Sequence, residues 1–274
     1  MQQDATKERA EIDREFVEAF RRPVSQGNWV RDINPLIAFL VLGCLAIIPI
    51  WIEGLIAPLA MCAAFVAISL LAGVGRPFIP GYLKLFLAVG LILFVLRAAF
   101  EPGDLVLFEF GPLSPTWEGV QSGARFALVV MVLCGALTLY AALIPAKYLM
   151  LALEQQGLTP RATYVLLASF QAITDLGKNV RVVMDAQKSR GIETEGSILT
   201  RSKAFFPIIA PAFLAAMNQT EERAVALDAR AFSSKTPHTR LISLRGPRPW
   251  EFGLLLVAVA GTVVSIMGAY LSWL

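Results

Sequence analysis

Long apolar runs separated by short polar segments dominate the chain. Uncharged runs close to the ~20 residues that a membrane-spanning helix needs occur at 36–52, 54–75, 126–146 and 252–274. A fifth run, 83–100, carries only Lys84 and Arg97 near its ends, where long side chains reach the lipid headgroups. The pattern predicts an all-α integral membrane protein with about five transmembrane helices.

The segment between the runs at 126–146 and 252–274 has a different pattern. Apolar residues recur there in steps of three and four, with charged residues on the other faces: Leu166, Phe170, Ile173, Val180 and Met184. This spacing predicts a long amphipathic helix that begins after Pro160. It should stop at Gly191, because glycine suits a left-handed C-terminal cap.

A second helix is expected after it. Residues 204–220 carry no charge, but basic residues stand on both sides, and crossing the membrane would carry those charges outward. Pro207 and Pro211 indicate a kinked helix that lies against other helices instead of a sixth span. The pattern continues this helix to Arg230.

Basic residues predict the orientation and the domain organisation. Of 24 Lys and Arg residues, 22 lie in three places: before the run at 36–52, between the runs at 54–75 and 83–100 with Lys84 at the start of the latter, or between the runs at 126–146 and 252–274. Because basic residues avoid translocated segments, we expect a cytoplasmic N-terminus and an external C-terminus in a multi-pass membrane protein. The predicted parts are a cytoplasmic extension (1–33), transmembrane helices one to four (34–146), a cytoplasmic helical domain (147–249) and transmembrane helix five (250–274).

Composition narrows the function classes. The chain is 56% hydrophobic and 16% charged, with mean hydropathy +0.63, which does not fit a water-soluble protein. A net charge of +3 without a basic block argues against a nucleic-acid partner. Cys44, Cys62 and Cys134 lie in apolar runs, so no disulfide framework or metal site is expected. The single histidine, His238, is expected to be exposed.

Two basic residues lie at the ends of predicted spans. Arg97 and Arg125 flank the 101–118 loop, which carries four carboxylates and no basic residue. An intramembrane charge is a candidate for an ion pathway. We expect local pairing with those carboxylates instead.

The two amphipathic helices end alike. Lys188-Ser189-Arg190-Gly191-Ile192 and Asp228-Ala229-Arg230-Ala231-Phe232 form a weak repeat. One cation at a helix end has a simple explanation in the helix dipole. Two arginines flanked by small residues favour a docking role, because the planar guanidinium can enter a partner's groove and engage carboxylates there. The predicted docking residues are Ser189, Arg190, Gly191, Ala229, Arg230 and Ala231.

At these residues the chain resembles the transmembrane (T) component of energy-coupling factor (ECF) transporters. That family carries two Ala-Arg-Gly-type motifs, and here Ser189 and Ala231 are the departures. The Asn34-Pro35 entry to the first span also resembles the family's Asp-Pro signature.

Such a resemblance implies a non-catalytic coupling subunit in a prokaryotic cell (inner) membrane. Each motif would dock on one of two ABC ATPase subunits, which hold ATP and Mg²⁺, so this chain needs no cofactor of its own. A separate membrane protein, the S component, would bind a B vitamin or transition metal and topple in the bilayer to release it.

Three alternative functions fit the sequence less well than a coupling subunit. Gly177-Lys178-Asn179 lacks the first glycine and the hydroxyl of a P-loop, so ATP must be hydrolysed elsewhere. Glu221 and Glu222 suggest a membrane-embedded enzyme, but no histidine or partner base accompanies them. The permease subunit of a conventional ABC transporter is the remaining alternative, and two docking motifs argue against it.

Overall fold

The computed structural model describes residues 27–101, 116–191, 198–232 and 244–272, with 198–204 and 272 described by their backbone alone. Its elements are helices, which confirms the predicted all-α class. They are α1 (Pro35–Trp51), α2 (Ile56–Leu71), α3 (Gly75–Leu85), a π-helical turn (Phe86–Gly90), α4 (Leu91–Phe100), α5 (Trp117–Leu143), α6 (Ala146–Gln155), α7 (Pro160–Ser189), α8 (Ile198–Ala229) and α9 (Pro249–Ser272). His238 and most of the 1–33 and 101–118 segments lie outside the described residues.

The chain divides into two compact units. The first comprises the residues up to Gln156 together with those from Leu241 onward, and it contains α1–α6 and α9. The second comprises Gly157–Arg240 and contains α7 and α8, the two amphipathic helices of the 147–249 segment.

Three helices of the described chain are long and apolar enough to cross a membrane: Gly75–Phe100, Trp117–Leu143 and Pro249–Leu271. With 17 and 16 residues, α1 and α2 are shorter apolar helices. They lie near the lower end of the roughly 17–25 residues that span a bilayer. All five predicted spans therefore fall on apolar helices of a membrane-embedded protein, three of them full-length.

The third span starts earlier than its apolar run. The apolar run predicted a span that starts at residue 83, but the helix begins at Gly75, so Arg76 as well as Lys84 lies within α3. The turn before it is tight, with Gly73 at φ +70°. Pro77 lies in the first turn of α3, where a proline costs no hydrogen bond.

The core of the first unit is built around α5. Phe65, Met131 and Leu139 are completely buried there. The Tyr82 hydroxyl donates to the Met131 carbonyl oxygen at 3.1 Å and lies 3.2 Å from the Cys62 sulfur. Because a buried hydroxyl without a partner is costly, these contacts fix the position of the Tyr82 ring against α5.

The start of α1 is tied to the start of α9. The Asn34 side chain caps α1 by accepting the Leu36 N–H at 3.1 Å, and Pro35 occupies the first helical position. The Asn34 N–H itself donates to Glu251 of α9 at 3.2 Å, and Glu251 is only 2% exposed. The Asn34-Pro35 pair is therefore a helix cap that also joins two membrane helices.

Arg97 and Arg125 make local contacts. Glu101 accepts from Arg97 Nε at 2.7 Å and from the Ser122 hydroxyl, and these bonds lower the pKa of Glu101. The predicted pairing with a loop carboxylate is confirmed for Arg97. Arg125 donates to the Ile52 carbonyl at 3.1 Å and so caps the end of α1. Two of the loop carboxylates expected near it, Asp104 and Glu109, lie outside the described residues.

Candidate functional site

Cap residues mark both ends of α7, and the C-terminal cap confirms the predicted stop at Gly191. Thr159 caps the first turn with its side-chain oxygen, and Pro160 is the first helical residue. At the other end Arg190 is the cap, with φ −87° and ψ 6°, and Gly191 follows at φ +83°. The Gly191 N–H donates to the Lys188 carbonyl at 2.9 Å, as in a left-handed helix cap.

The end of α8 has the same geometry without a glycine. Ala231 occupies the left-handed region at φ 55°, and its N–H donates to the Asp228 carbonyl at 2.9 Å. The Phe232 N–H donates to the Leu227 carbonyl at 3.1 Å, which completes a Schellman motif. Arg190 and Arg230 therefore occupy equivalent cap positions, each followed by a left-handed residue.

Ala231→Gly is expected to stabilise the end of α8 by about 0.5–1 kcal/mol. A left-handed residue with a Cβ costs roughly 1–2 kcal/mol, and the chain entropy of glycine offsets part of the gain. Amide hydrogen exchange at positions 231 and 232 reports the change as slower exchange. Gly191→Ala is the matched reverse change and should speed exchange at the end of α7. Changes of the same sign at both ends would contradict this account.

Both arginines are presented to the surroundings. Arg190 and Arg230 are exposed, and neither guanidinium forms a hydrogen bond or ion pair within the described residues. Their immediate neighbours in the two motifs, Ser189, Gly191, Ala229 and Ala231, are small and exposed as well. Each tip is therefore sterically open to a partner.

Contacts at three levels show that α7 and α8 are antiparallel. Near the start of α7, the Tyr164 and Phe232 rings lie 5.2 Å apart. In the middle, Arg223 Nη2 lies 2.8 Å from Asp175 Oδ2. Near the end of α7, Gln187 Nε2 donates to the Pro207 carbonyl at 3.2 Å. Residue numbers rise along one helix as they fall along the other.

This arrangement separates the two arginine tips. Arg230 stands beside Phe232, whose ring contacts Tyr164 near the start of α7, whereas Arg190 caps the far end of the same helix. At 1.5 Å per residue, the helix between Tyr164 and Arg190 spans about 40 Å. The tips therefore lie at opposite ends of one packed helix pair.

Sequence patterning did not reveal the contacts that hold the pair together. The amphipathic pattern puts Asp175 on a polar face of α7, and in the structure its carboxylate accepts from Arg223 and lies 3.6 Å from Lys178. Its carboxylate is largely buried between the helices. Opposite charges on two amphipathic helices were the available signal, but nothing in the sequence sets their register.

Exposed apolar residues follow both helices. The predicted apolar face of α7 is exposed at Leu166, Phe170 and Ile173 and partly buried at Val180 and Met184. On α8 the exposed apolar residues flank the two prolines: Phe205, Phe206, Ile209, Phe213, Leu214 and Met217. A soluble surface rarely leaves so much apolar area open, which indicates contact with lipid or another protein.

The residues considered as catalytic candidates lie on exposed helix surfaces: Gly177, Lys178, Glu221 and Glu222. Gly177 and Lys178 lie in the middle turns of α7, where the backbone N–H groups are bonded within the helix and cannot bind a phosphate. Glu221 and Glu222 are exposed on α8. Across the described part of the chain, no group of three His, Cys, Asp or Glu side chains could hold a metal ion.

Comparison with known proteins covers both arginine tips. The model of the CbiQ family, described as cobalt transport protein, matches residues 26–240. An energy-coupling factor transporter transmembrane protein of Listeria innocua is 29% identical over 215 residues, or 72% of this chain and 75% of the relative.

Two further relatives carry the same name. That of Leuconostoc gelidum is 26% identical over 234 residues, covering 80% of this chain and 85% of its own. That of Limosilactobacillus fermentum is 26% identical over 196 residues, covering 67% and 72%.

Proposed function

We propose a function from one premise: the chain belongs to the CbiQ family and is the transmembrane component of an ECF transporter. Its role is to transmit ATP-driven motion from two ABC ATPase subunits to a substrate-binding S component. The ATPases hold ATP and Mg²⁺, and this chain performs no catalysis. The cargo is a micronutrient, either a B vitamin or a transition metal ion.

One observation carries this proposal. Arg190 and Arg230 cap opposite ends of a single packed helix pair, about 40 Å apart on the helix rise. Each tip is exposed, and each is flanked by small residues. A single chain with two separate tips suits two ATPases, one at each end.

The chemistry of each tip suits a carboxylate-lined groove. A guanidinium offers a planar fork of N–H donors that can pair with a carboxylate by two parallel hydrogen bonds. The left-handed residue after each arginine ends the helix abruptly. The side chain can therefore enter the groove without the following turn in its way.

Motion of the tips would pass along the helices. The α7–α8 pair is held by an ion pair, a hydrogen bond and an aromatic contact, so displacement of one helix is resisted by the other. Small sliding movements of packed helices are a common form of such transmission. The exposed apolar residues of α7 and α8 would press on the S component, which topples in the membrane and releases its ligand inward.

The distribution of basic residues supports an orientation for this machinery. Twenty of the 24 Lys and Arg residues lie before the first span or between the fourth and fifth spans, and Arg76 and Lys84 lie in the first part of the third-span helix. This distribution places the N-terminus in the cytoplasm and the C-terminus outside. This puts α7 and α8 on the cytoplasmic side, where ATP is available.

Purification of the tagged full-length chain from its native membrane tests the function. We expect two ATPase subunits for each copy of this chain, together with a distinct small membrane protein as the S component. A complex in which two copies of this chain and two ATPases import substrate without a third membrane protein would establish the conventional ABC permease instead.

A further inference from the structure

The prolines of α8 leave one backbone carbonyl without its usual partner. In an α-helix the carbonyl of residue 207 accepts the N–H of residue 211. Residue 211 is a proline and has no N–H to give. The Pro207 carbonyl oxygen is therefore open to a donor from outside the helix.

Gln187 of α7 supplies that donor. Its side-chain Nε2 lies 3.2 Å from the Pro207 carbonyl oxygen, and the residue is only 8% exposed. Buried polar side chains need such partners, because an unpaired one costs more than the bond itself contributes. Gln187 and the carbonyl thus satisfy each other across the two helices.

The Gln187–Pro207 bond joins the end of α7 that carries Arg190 to the proline segment of α8. Gln187 lies on the last turn of α7, three residues before Arg190, and its carbonyl accepts the Arg190 N–H at 3.1 Å. On the other side of the bond, the proline segment of α8 bears the exposed apolar residues Phe206 and Ile209. The Asp175–Arg223 pair lies three to four turns farther from the tip along α7.

We propose that Gln187 is the positioning residue that ties the Arg190 tip to the proline segment of α8. Displacement of Arg190 by its ATPase is carried through the amide to the Pro207–Pro211 segment, which bends more easily than an unbroken helix. This role rests on the proposed function, since it presumes that an ATPase grips Arg190.

Three substitutions separate this role from a merely structural one. Gln187→Met keeps the side-chain length and removes the donor. Pro211→Ala supplies the missing N–H, so the Pro207 carbonyl joins the helix ladder and turns away from Gln187. Pro207→Ala is the matched control, because it removes a proline one turn away and leaves that carbonyl free for Gln187.

The experiment uses the complete complex with its ATPases in nanodiscs, with and without AMP-PNP and Mg²⁺. Hydrogen exchange is followed in peptides that cover residues 205–217. In the wild type and in Pro207→Ala we expect nucleotide to change the exchange rate of this segment. In Gln187→Met and Pro211→Ala that response should fall by about fivefold, which corresponds to the loss of one hydrogen bond.

Thermal unfolding of the same variants reports the structural role alone. Gln187→Met should be less stable than the wild type, and Pro211→Ala should restore that stability in the double variant without restoring the nucleotide response. If Gln187→Met or Pro211→Ala responds to nucleotide as the wild type does, or if the wild type itself gives no response, the tie does not transmit motion.

Arg190→Ala distinguishes failure of this inference from failure of the proposed function. If Arg190→Ala leaves ATPase binding intact, the docking function is wrong and the tie has nothing to transmit. If Arg190→Ala releases an ATPase while Gln187→Met keeps a normal nucleotide response, the docking function stands and only the role of Gln187 is overturned.

Discussion

Replacing Arg190 or Arg230 by alanine is expected to weaken association with the corresponding ATPase by about 2–5 kcal/mol, because each removes one partner of a desolvated, hydrogen-bonded charge pair. Both side chains are exposed and unpaired within the described residues, so their loss should leave the fold intact. Titration of purified ATPase onto the chain in nanodiscs measures the affinity. The double variant should abolish uptake.

Two further changes make this test specific. Arg→Lys at either tip keeps the charge but loses the planar fork, and it should recover only part of the affinity. Arg181→Ala is the control, because it removes one positive charge from an exposed position within α7, away from the helix ends. Its effect should stay below about 0.5 kcal/mol, as for an ordinary surface substitution. Equal losses at positions 181 and 190 would point to net charge instead of docking.

Gly135→Ala is expected to destabilise the membrane bundle by about 1–3 kcal/mol through overpacking. A Cβ at this position would lie 2.9 Å from Tyr82 Cε2 and 3.2 Å from Phe65 Cδ2. Neither ring can move away freely, because Phe65 is completely buried and the Tyr82 hydroxyl is bonded to the Met131 carbonyl. Thermal unfolding of the purified protein in detergent measures the change.

Gly43→Ala is the matched control for that substitution. Gly43 lies inside α1, and a Cβ there would meet no atom within 4 Å. Alanine is the better helix former by about 0.8–1 kcal/mol, so this variant should be at least as stable as the wild type. A Gly135→Ala protein as stable as Gly43→Ala would contradict the packing described around Tyr82.

Local signals predicted one helix of the second unit from end to end. The sequence predicted a helix from Pro160 that stops at Gly191, and α7 runs from Pro160 to Ser189 with Gly191 in the left-handed region. Such ends are predictable because caps depend on a few adjacent residues and on backbone angles that only some residue types adopt. The amphipathic spacing between them needed no knowledge of the partner helix. The same is true of the apolar runs that became membrane helices.

The sequence was less informative about two features: a helix end without a glycine, and a contact between residues far apart in the chain. The left-handed cap at Ala231 has no glycine to announce it, and the residues around it are good helix formers. Arg125 caps the end of α1 through the Ile52 carbonyl, 73 residues away in the sequence. The cap at Ala231 depends on the adjacent turn, and the Arg125 contact depends on a residue far along the chain. Composition encodes neither of them.

The candidate site was predicted as a pair of motifs and not as a geometry. The repeat of small-Arg-small residues identified Arg190 and Arg230. Their separation along one helix pair depends on the antiparallel register of α7 and α8, which is set by Asp175–Arg223 and Gln187–Pro207. No pattern within a single helix specifies pairs that lie 20 to 48 residues apart.

Counting ATPases on each copy of the chain tests the central claim most directly. Native mass spectrometry of the complex should find two ATPase subunits on the wild type, one on either Arg190→Ala or Arg230→Ala, and none on the double variant. Two ATPases retained by the double variant would show that the arginine-capped helix ends are not the docking sites.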